Sequence, residues 1–568
     1  MAVVRVRRGS AEPFDRLRTS SGQRLREGGD RYDIIESRCH KPTFQDRIAF
    51  MQSFATSKHK ILLAGLVIFA AMLACSQSVG DDAWNAPAEL PGAVAQASGR
   101  LTPTPFLPAT RIPGSPILTP TPDAPHNLPS LRQEAEQYVV QPGDTLNTIA
   151  ARYNVGMDAI AEASGLGNID YLEVGQLLSI PAPQPLGPGP GFKIIPDSEL
   201  VYGPVSAYFD LADLIRSQGG YLASYEENVD GQSMSGTDIV ARVAQEYSVN
   251  PRLLLAALEY QSGWATRSNP DEATLEYPMG VYVTWRSGLY RQLAWAADSL
   301  NRGFYLWRVN GLPAWILADG AVMLIESTIN AGTAGVQHLF AQLYEQNDWE
   351  KSVGQNGLFA TYESFFGYPF DYAIEPLVPP DLEQPAMQLP FEQDQVWAYT
   401  GGPHGGWGSG SAWAALDFAP PGEALGCVQS DAWVVAVADG EIVRADNGAV
   451  VQDIDDPNSL ASDGLEQTGW TVLYMHIESR GRVQPGTYLK TGERVGHPSC
   501  EGGVSTGTHV HLARRYNGEW IPADQDLPFV LDGWVSVGWG NEYDGNLQRD
   551  GQTVEAWEGR KTENAIQR

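Results

Sequence analysis

The apolar positions of this chain fall into three spacing regimes. The first is short. An extended run, Tyr138-Val139-Val140, is broken by Pro142 and Gly143, a helical stretch follows through Leu146 and Ile149-Ala150, and Leu177 and Ile180 close the segment as a second extended run. Asp144 is expected to cap the helix, because a short side-chain oxygen can accept from its first free N–H groups. A strand, two short helices and a strand account for residues 136–182. The second regime covers residues 200–375. Ile239, Val240, Val243, Ala244 and Tyr247 recur at helical spacing, as do Leu253, Leu254, Ala257 and Leu258, and Asn250-Pro251 opens the second of these helices. The third begins near residue 393. Val434-Val435-Ala436-Val437, Glu441-Ile442-Val443, Thr471 to His476 and Thr508 to Leu512 are rich in β-branched residues and separated by Gly, Asp and Asn. No long helical pattern intervenes, so an antiparallel sheet is expected.

Segments rich in proline separate these regimes: residues 76–135, 183–199 and 376–392. Thr102-Pro103-Thr104-Pro105 and Thr119-Pro120-Thr121-Pro122 typify the first. Such stretches bury too little apolar surface to fold alone and are held extended by their prolines, so they read as linkers. A chain of 568 residues is too long for one core. The expected domains are 136–182, 200–375 and 393–540, with 541–568 as a tail.

The N-terminal part changes the picture of where the protein works. A 14-residue apolar run, Ile61 to Ala74, follows His59-Lys60 and ends in Met72-Leu73-Ala74-Cys75. A membrane-spanning helix needs about 20 apolar residues, whereas this length suits the apolar core of a signal peptide. Residues 51–75 are therefore expected to direct export. Met72-Leu73-Ala74-Cys75 resembles a bacterial lipobox, which makes Cys75 the expected lipidation site and the protein a membrane-anchored surface lipoprotein. Plain secretion is the alternative. Met51 would start an ordinary signal peptide, so residues 1–50 read as a dispensable leader or a misassigned start.

The net charge of −30 argues against nucleic acid as a partner, which asks for clustered Lys and Arg. Four cysteines are present, Cys39 in the leader and Cys75 in the lipobox. The other two, Cys427 and Cys500, read as a disulfide in an exported protein, with two free buried thiols as the alternative.

Four of the nine histidines, His404, His476, His509 and His511, lie in or beside the runs of the third regime. His509 and His511 are two apart on a strand and so face the same side. This suits one ring on a metal and its neighbour on metal-bound water. Asp417, in Ala415-Leu416-Asp417-Phe418, can also project from a strand. Two neutral imidazoles and a carboxylate make a zinc site with one position open. A lone strand histidine is more often structural, and His-Val-His alone is weak; the weight lies in the whole set.

Three resemblances bear on these regions. Tyr138 to Ile149-Ala150 with Val174-Gly175-Gln176-Leu177 and Ile180-Pro181 resembles a LysM domain, a module that binds N-acetylglucosamine polymers. That resemblance places Gly143, Asp144 and Thr145, with the loop from Gly165 to Tyr171, along a sugar groove. Ala257 to Trp264, Pro278-Met279-Gly280 and Ile329-Asn330-Ala331-Gly332 faintly resemble the lysozyme-like lytic transglycosylases. There the residue before the Ser is a catalytic Glu, and here it is Gln261, which has no acid proton to give; a non-catalytic wall-binding or spacing region is expected. Glu259, two residues away, points elsewhere on the helix.

The third resemblance is to the lysostaphin-type (LytM-like) zinc metallopeptidases of the beta-lytic and staphylolytic branch. It rests on Gly401-Gly402-Pro403-His404, Leu416-Asp417, Tyr474-Met475-His476, Cys500-Glu501-Gly502-Gly503 and Ser505-Thr506-Gly507-Thr508-His509-Val510-His511. By it, His404, Asp417 and His511 hold one Zn2+, His509 is the general base, His476 donates to the oxyanion, and Tyr474 helps bind substrate. His497 is a bystander.

The fold class implied is multidomain: a small α+β LysM module, a mostly α middle domain, and a mainly-β antiparallel-sheet metallopeptidase domain. The function implied is an exported endopeptidase that cuts peptide cross-links of peptidoglycan during wall remodelling. The LysM module would hold the glycan, and a membrane contact would come through Cys75 if it is lipidated. The alternative is a non-catalytic, wall-binding regulator of other hydrolases.

Overall fold

The computed structural model describes residues 120–422, 424–454 and 463–568. The leader, the signal segment with Cys75 and the linker up to residue 119 lie outside the described residues. Among the described residues, no helix is long and apolar enough to cross a membrane.

In the first module β1 (Glu136–Val139) pairs antiparallel with β2 (Leu177–Ile180), and α1 (Leu146–Tyr153) and α2 (Met157–Ser164) lie between them in sequence. Val140, Leu146, Ile149, Ile160, Leu178 and Ile180 form its core. The cap of α1 differs from the expectation. Thr145 is the N-cap, in a reciprocal capping box with Thr148. Asp144 closes the preceding turn instead, accepting from the Gln141 N–H at 2.7 Å and the Tyr138 hydroxyl at 2.6 Å.

The middle region is helical. It contains α3 (Leu211–Gln218), α4 (Gly236–Tyr247), α5 (Pro251–Ser262), α6 (Leu289–Arg308), α7 (Ala331–Ala341), α8 (Gln346–Ser352) and α9 (Leu358–Phe366). The apolar stripe read from sequence is the buried face: Ile239, Val240, Val243 and Ala244 are fully enclosed. Ser235 and Asp238 cap α4 reciprocally, and the Asn250 side chain caps α5. Short strands complete the region: β3 (Pro185–Pro188), the hairpin of β4 (Glu226–Val229) and β5 (Gln232–Ser235), β6 (Ala314–Ile316) and β7 (Val322–Leu324).

The third region is built on one sheet. Its strands are β8 (Val396–His404), β9 (Ala415–Ala419), β10 (Val434–Val435), β11 (Gly440–Asp446), β12 (Ala449–Ile454), β13 (Trp470–Met475), β14 (Tyr488–Leu489), β15 (Arg494–Gly496), β16 (Val510–Tyr516) and β17 (Glu519–Trp520). A second small sheet follows, of β18 (Val530–Leu531), β19 (Trp534–Gly538), β20 (Gly545–Arg549) and β21 (Gln552–Glu555), and then β22 (Ala565–Gln567). The main sheet runs β14-β11-β12-β13-β16-β9-β8-β22 with every pair antiparallel, while β10 pairs with β15 apart from it.

Three segments expected to be linkers or a tail are structural. β3 pairs with β7, and Ile194 and Ile195 are fully buried. Leu389 and Phe391 enter the core of the third region, where Phe391 stacks on Trp397. β22, in the presumed tail, adds to the edge of β8 through Ala565↔Ala398 and Gln567↔Val396. Proline content signals a segment that donates few backbone hydrogen bonds, but such a segment can still bury side chains against a neighbour's surface.

The main sheet has two buried faces. Tyr399, Leu416, Phe418, Val450, Val472, Tyr474 and Leu512 belong to one core, whereas Ala415, Val451, Leu473, Met475 and Ala513 join the core of the helical region. Polar contacts cross the same boundary. The Ser248 hydroxyl donates to the Gly518 carbonyl at 2.6 Å, the Trp520 N–H donates to the Tyr305 hydroxyl at 2.9 Å, and Arg308 pairs with Glu519 at 2.9 Å. The middle region is thus the second layer of the sheet, not a separate bead on a string. Leu473→Ala should destabilise the full chain by about 2–5 kcal/mol. In denaturant unfolding, helical and aromatic signals should shift together to lower midpoint. Two transitions with only one displaced would refute the shared core.

Candidate metal centre

Register creates the centre. His511 on β16 stands opposite Asp417 on β9, and Asp417 stands opposite Gly401 on β8. Directly opposed residues project to the same side of a sheet. Gly401 is required in this row, because a Cβ there would lie 2.7 Å from Asp417 Oδ2. The β8–β9 register shifts twice, between Tyr399 and Gly401 and between Gly401 and His404. These bulges re-aim the strand end, as bulges do, and bring His404 to the same row.

Three atoms meet there. His404 Nε2 and His511 Nδ1 are each 3.2 Å from Asp417 Oδ1 and 2.9 Å from one another. The other ring nitrogens are held by carbonyls: His404 Nδ1 at 2.7 Å from the Gly402 oxygen, and His511 Nε2 at 3.1 Å from the Gly406 oxygen. A carbonyl only accepts, so these nitrogens carry the hydrogens. In the neutral rings the two facing nitrogens then present lone pairs. Asp417 Oδ1 is buried and has no hydrogen-bond donor. Two lone pairs and a carboxylate oxygen at these separations fit a metal cation with N/O preference, and the carbonyls act as the outer partners that fix ligand orientation.

The electrostatics agree. Burial pushes the Asp417 pKa up, but the imidazoles of His404, His509 and His511 outweigh it and hold the carboxyl well below its usual range. Burial also opposes charge on His404, yet Asp417 and the Gly402 carbonyl raise its pKa overall. Burial dominates at His511 and lowers it. A proton can satisfy only one of the three atoms; a cation satisfies all of them.

Two further imidazoles flank this triad. His509 shares the His511 face, with Nδ1 on the Gly507 carbonyl at 2.7 Å and Nε2 3.7 Å from Asp417 Oδ1. His476 follows the end of β13 in left-handed backbone, φ 64°. Its Nδ1 meets the Glu501 carbonyl at 3.1 Å, and its ring lies 4.5 Å from that of His509. Burial, followed by His509 and His511, pushes its pKa down to about 3, so it is neutral near neutral pH.

Tyr474 does not reach the centre. It is fully buried on the opposite face, donating to Gln452 at 2.7 Å and accepting from the Val437 N–H at 2.8 Å. The two-residue strand parity with His476 fails because His476 leaves the strand with positive φ. The disulfide Cys427–Cys500 is present, with Cα atoms 5.7 Å apart. Beside it, Thr508 N–H donates to the Gly426 carbonyl at 3.1 Å, so the loop before His509 is held from two sides. His497 packs at a tilt against Trp433, with Nδ1 on the Ala432 carbonyl at 2.8 Å, away from the triad. One residue was not foreseen. Tyr543, in the presumed tail, stacks on His404 with centroids 4.2 Å apart. Its approach depends on the β19–β20 turn, which has no pattern that distinguishes it in sequence.

In the first module Gly143 and Thr145 are exposed, as is Tyr171, but the Asp144 side chain faces inward and is 1% exposed. In the helical region the Tyr344 hydroxyl donates to Gln261 Oε1 at 2.6 Å. Glu259 accepts from Ala265 N–H, Thr266 N–H and the Thr266 hydroxyl, at 3.0, 3.1 and 2.5 Å. It closes the end of α5.

Residues 138–181 match the family model for the LysM domain, and residues 193–379 match that for the N-terminal domain of LasA. The second match stands in place of the lysozyme-like family that the motifs around Gln261 faintly resembled. Protease LasA of Pseudomonas aeruginosa is 28% identical over 300 residues, covering 48% of this chain and 65% of that protein. The chain therefore spans just under two thirds of the length of this relative. Beta-lytic metalloendopeptidase of Lysobacter enzymogenes is 26% identical over 170 residues, or 29% of this chain and 85% of that one. Among solved structures, the M23 metalloprotease pseudoalterin from the deep sea aligns over 33% of this chain and 99% of its own, at 24% identity and a TM-score of 0.25.

Gly401→Val should drive the Asp417 carboxylate out of the row. Zinc affinity, measured by competition with a chromophoric chelator, is expected to fall by about 10- to 100-fold. Unchanged affinity would show that Asp417 is not a ligand.

Proposed function

We propose that this chain is an exported zinc endopeptidase that hydrolyses peptide cross-links of bacterial peptidoglycan and is held on the wall by its LysM module. The observation that carries the reading is the buried row of His404, Asp417 and His511, with lone pairs converging, flanked by the imidazoles of His509 and His476. Support comes from relatives named as protease LasA and beta-lytic metalloendopeptidase. The LysM match supports glycan as the polymer on which the enzyme is held. Tethering of this kind raises the local concentration of the active site on its substrate. The disulfide supports export, because such bonds persist in oxidising compartments. Lipid attachment at Cys75 would keep the enzyme near the cell that makes it. Secretion without an anchor is the alternative, and the mass of the mature protein decides between them.

Zinc held by His404 Nε2, Asp417 Oδ1 and His511 Nδ1 would supply Lewis-acid chemistry, making water acidic enough to act as a nucleophile near neutral pH. His509 is the group placed to take the proton. Its Nε2 carries a lone pair in the neutral ring, and Asp417 at 3.7 Å stabilises the imidazolium that forms. The same nitrogen can then give the proton to the leaving amine. His476 is more constrained. With Nδ1–H on the Glu501 carbonyl, its neutral ring can only accept at Nε2. It can therefore orient the attacking water, and donation to the oxyanion requires the other tautomer, with the hydrogen on Nε2.

The test uses the full chain on insoluble peptidoglycan, with released peptides identified by mass spectrometry. New amino termini should appear, and should be lost with a zinc chelator and in His511→Ala. His509→Ala should lower the rate by about 100- to 10,000-fold while zinc stays bound. If the protein holds zinc but releases nothing from walls of several cross-link types, the enzyme reading fails. The chain would then be a wall-binding regulator of another hydrolase.

A further inference from the structure

Residues 405–414 join His404 to β9, and the first six residues of this loop include Gly405, Gly406, Gly408 and Gly410. Glycine loses more backbone freedom on ordering than any other residue, so a loop of this composition needs outside support to keep one shape. Within the loop, Gly406 N–H donates to the Ala412 carbonyl and Trp407 N–H to the Ser411 hydroxyl, both at 3.0 Å. From the third region, Glu542 Oε1 accepts from the Gly405 N–H at 3.3 Å and the Ala523 N–H donates to the Trp413 carbonyl at 2.7 Å, while the middle of the loop is held by the helical region. Asp298 on α6 accepts from the Gly410 N–H at 2.8 Å through Oδ1, and from the Ser409 hydroxyl at 2.9 Å through Oδ2. The fit is close. A Cβ on Gly410 would lie 1.9 Å from the Asp298 carbonyl, and one on Gly408 would lie 2.5 Å from Asp298 Oδ1. The glycines thus let the loop lie directly on α6.

This loop also supplies the Gly406 carbonyl, which receives His511 Nε2–H at 3.1 Å. The position of that oxygen sets the tautomer and ring plane of His511. A displaced loop would release the hydrogen and allow the ring to turn its lone pair away from Asp417. We propose that Asp298, although outside the peptidase sheet, is a positioning residue for the metal centre: its carboxylate fixes the 405–411 loop so that the Gly406 carbonyl holds His511 Nδ1 toward His404 and Asp417. This rests on the zinc reading of the site. It makes metal retention depend on the docking of α6, so the helical region contributes to the chemistry without touching substrate.

The experiment measures zinc dissociation constants by chelator competition, and melting temperatures of the metal-free protein, on the full chain. Asp298→Ala should weaken zinc binding by about 10-fold, the low end for loss of an outer partner. Asp298→Asn, whose amide oxygen can still accept from Gly410 N–H, should restore most of that affinity. Ser409→Ala removes one of the two hydrogen bonds without altering the helix. It should weaken zinc binding by about 3-fold, since the Gly410 bond is kept, and provides the measurement if Asp298→Ala does not fold. Asn301→Ala is the control for a merely structural role: it loses the bond from α6 to the Tyr247 carbonyl, and should lower the melting temperature without moving zinc affinity. The inference is overturned if both Asp298→Ala and Ser409→Ala bind zinc within about twofold of the parent, a spread ordinary for positions that do not couple. It is also overturned if Asn301→Ala weakens zinc binding as much as Asp298→Ala does. Absence of zinc binding by the parent protein would instead overturn the zinc reading, and this inference with it.

Discussion

Three electron-rich atoms buried within hydrogen-bonding distance of each other are the constraint on which the rest of this structure turns. His404 Nε2, His511 Nδ1 and Asp417 Oδ1 repel one another unless positive charge lies among them. Removing such groups from water is costly, and the cost grows as the surroundings become less polar. The arrangement persists because the surrounding chain leaves it no easy relaxation. Gly402 and Gly406 carbonyls hold the rings against rotation, the bulges of β8 fix the reach of His404, and the missing side chain at Gly401 leaves room for the carboxylate.

The second layer of the sheet follows from the same constraint. The face that carries Asp417 and His511 also carries Ala415, Ala513, Leu473 and Val451. Small side chains at Ala415 and Ala513 leave room for helices to approach, and the helical region fills it. A site built on this face is therefore bordered, on its own side of the sheet, by the helical region. Buried ion pairs near the same boundary, Arg444 and Arg515 on Glu466, keep charged groups matched where the two layers meet.

Much of this was legible in the sequence, wherever the signal was local. The period of two placed His509 and His511 on one side, and the helical stripe of α4 is the buried face that its spacing indicates. Features that depend on departures from regular geometry were not legible. Two residues apart on a regular strand, Tyr474 and His476 would share a face, and the left-handed backbone at His476 breaks that parity. Thr145 took the cap from Asp144 because Asp144 finds better donors in its own turn. Segments 183–199 and 376–392 read as linkers because composition reports what a segment can do alone, whereas Ile194, Leu389 and Phe391 are buried by partners distant in sequence. The stacking of Tyr543 on His404 belongs to the same class.

The pairing of β22 with β8 has a consequence for timing. β8 carries His404 at its end, and its outer edge is covered by residues 565–567. A chain that emerges from the ribosome or an export channel amino terminus first presents β8 as an open edge until that distant segment follows. An uncovered edge is a template for pairing with other strands. The sheet that carries the row of His404, Asp417 and His511 is therefore completed only after residues 405–564 have followed β8, so the order of synthesis itself sets when that row can assemble.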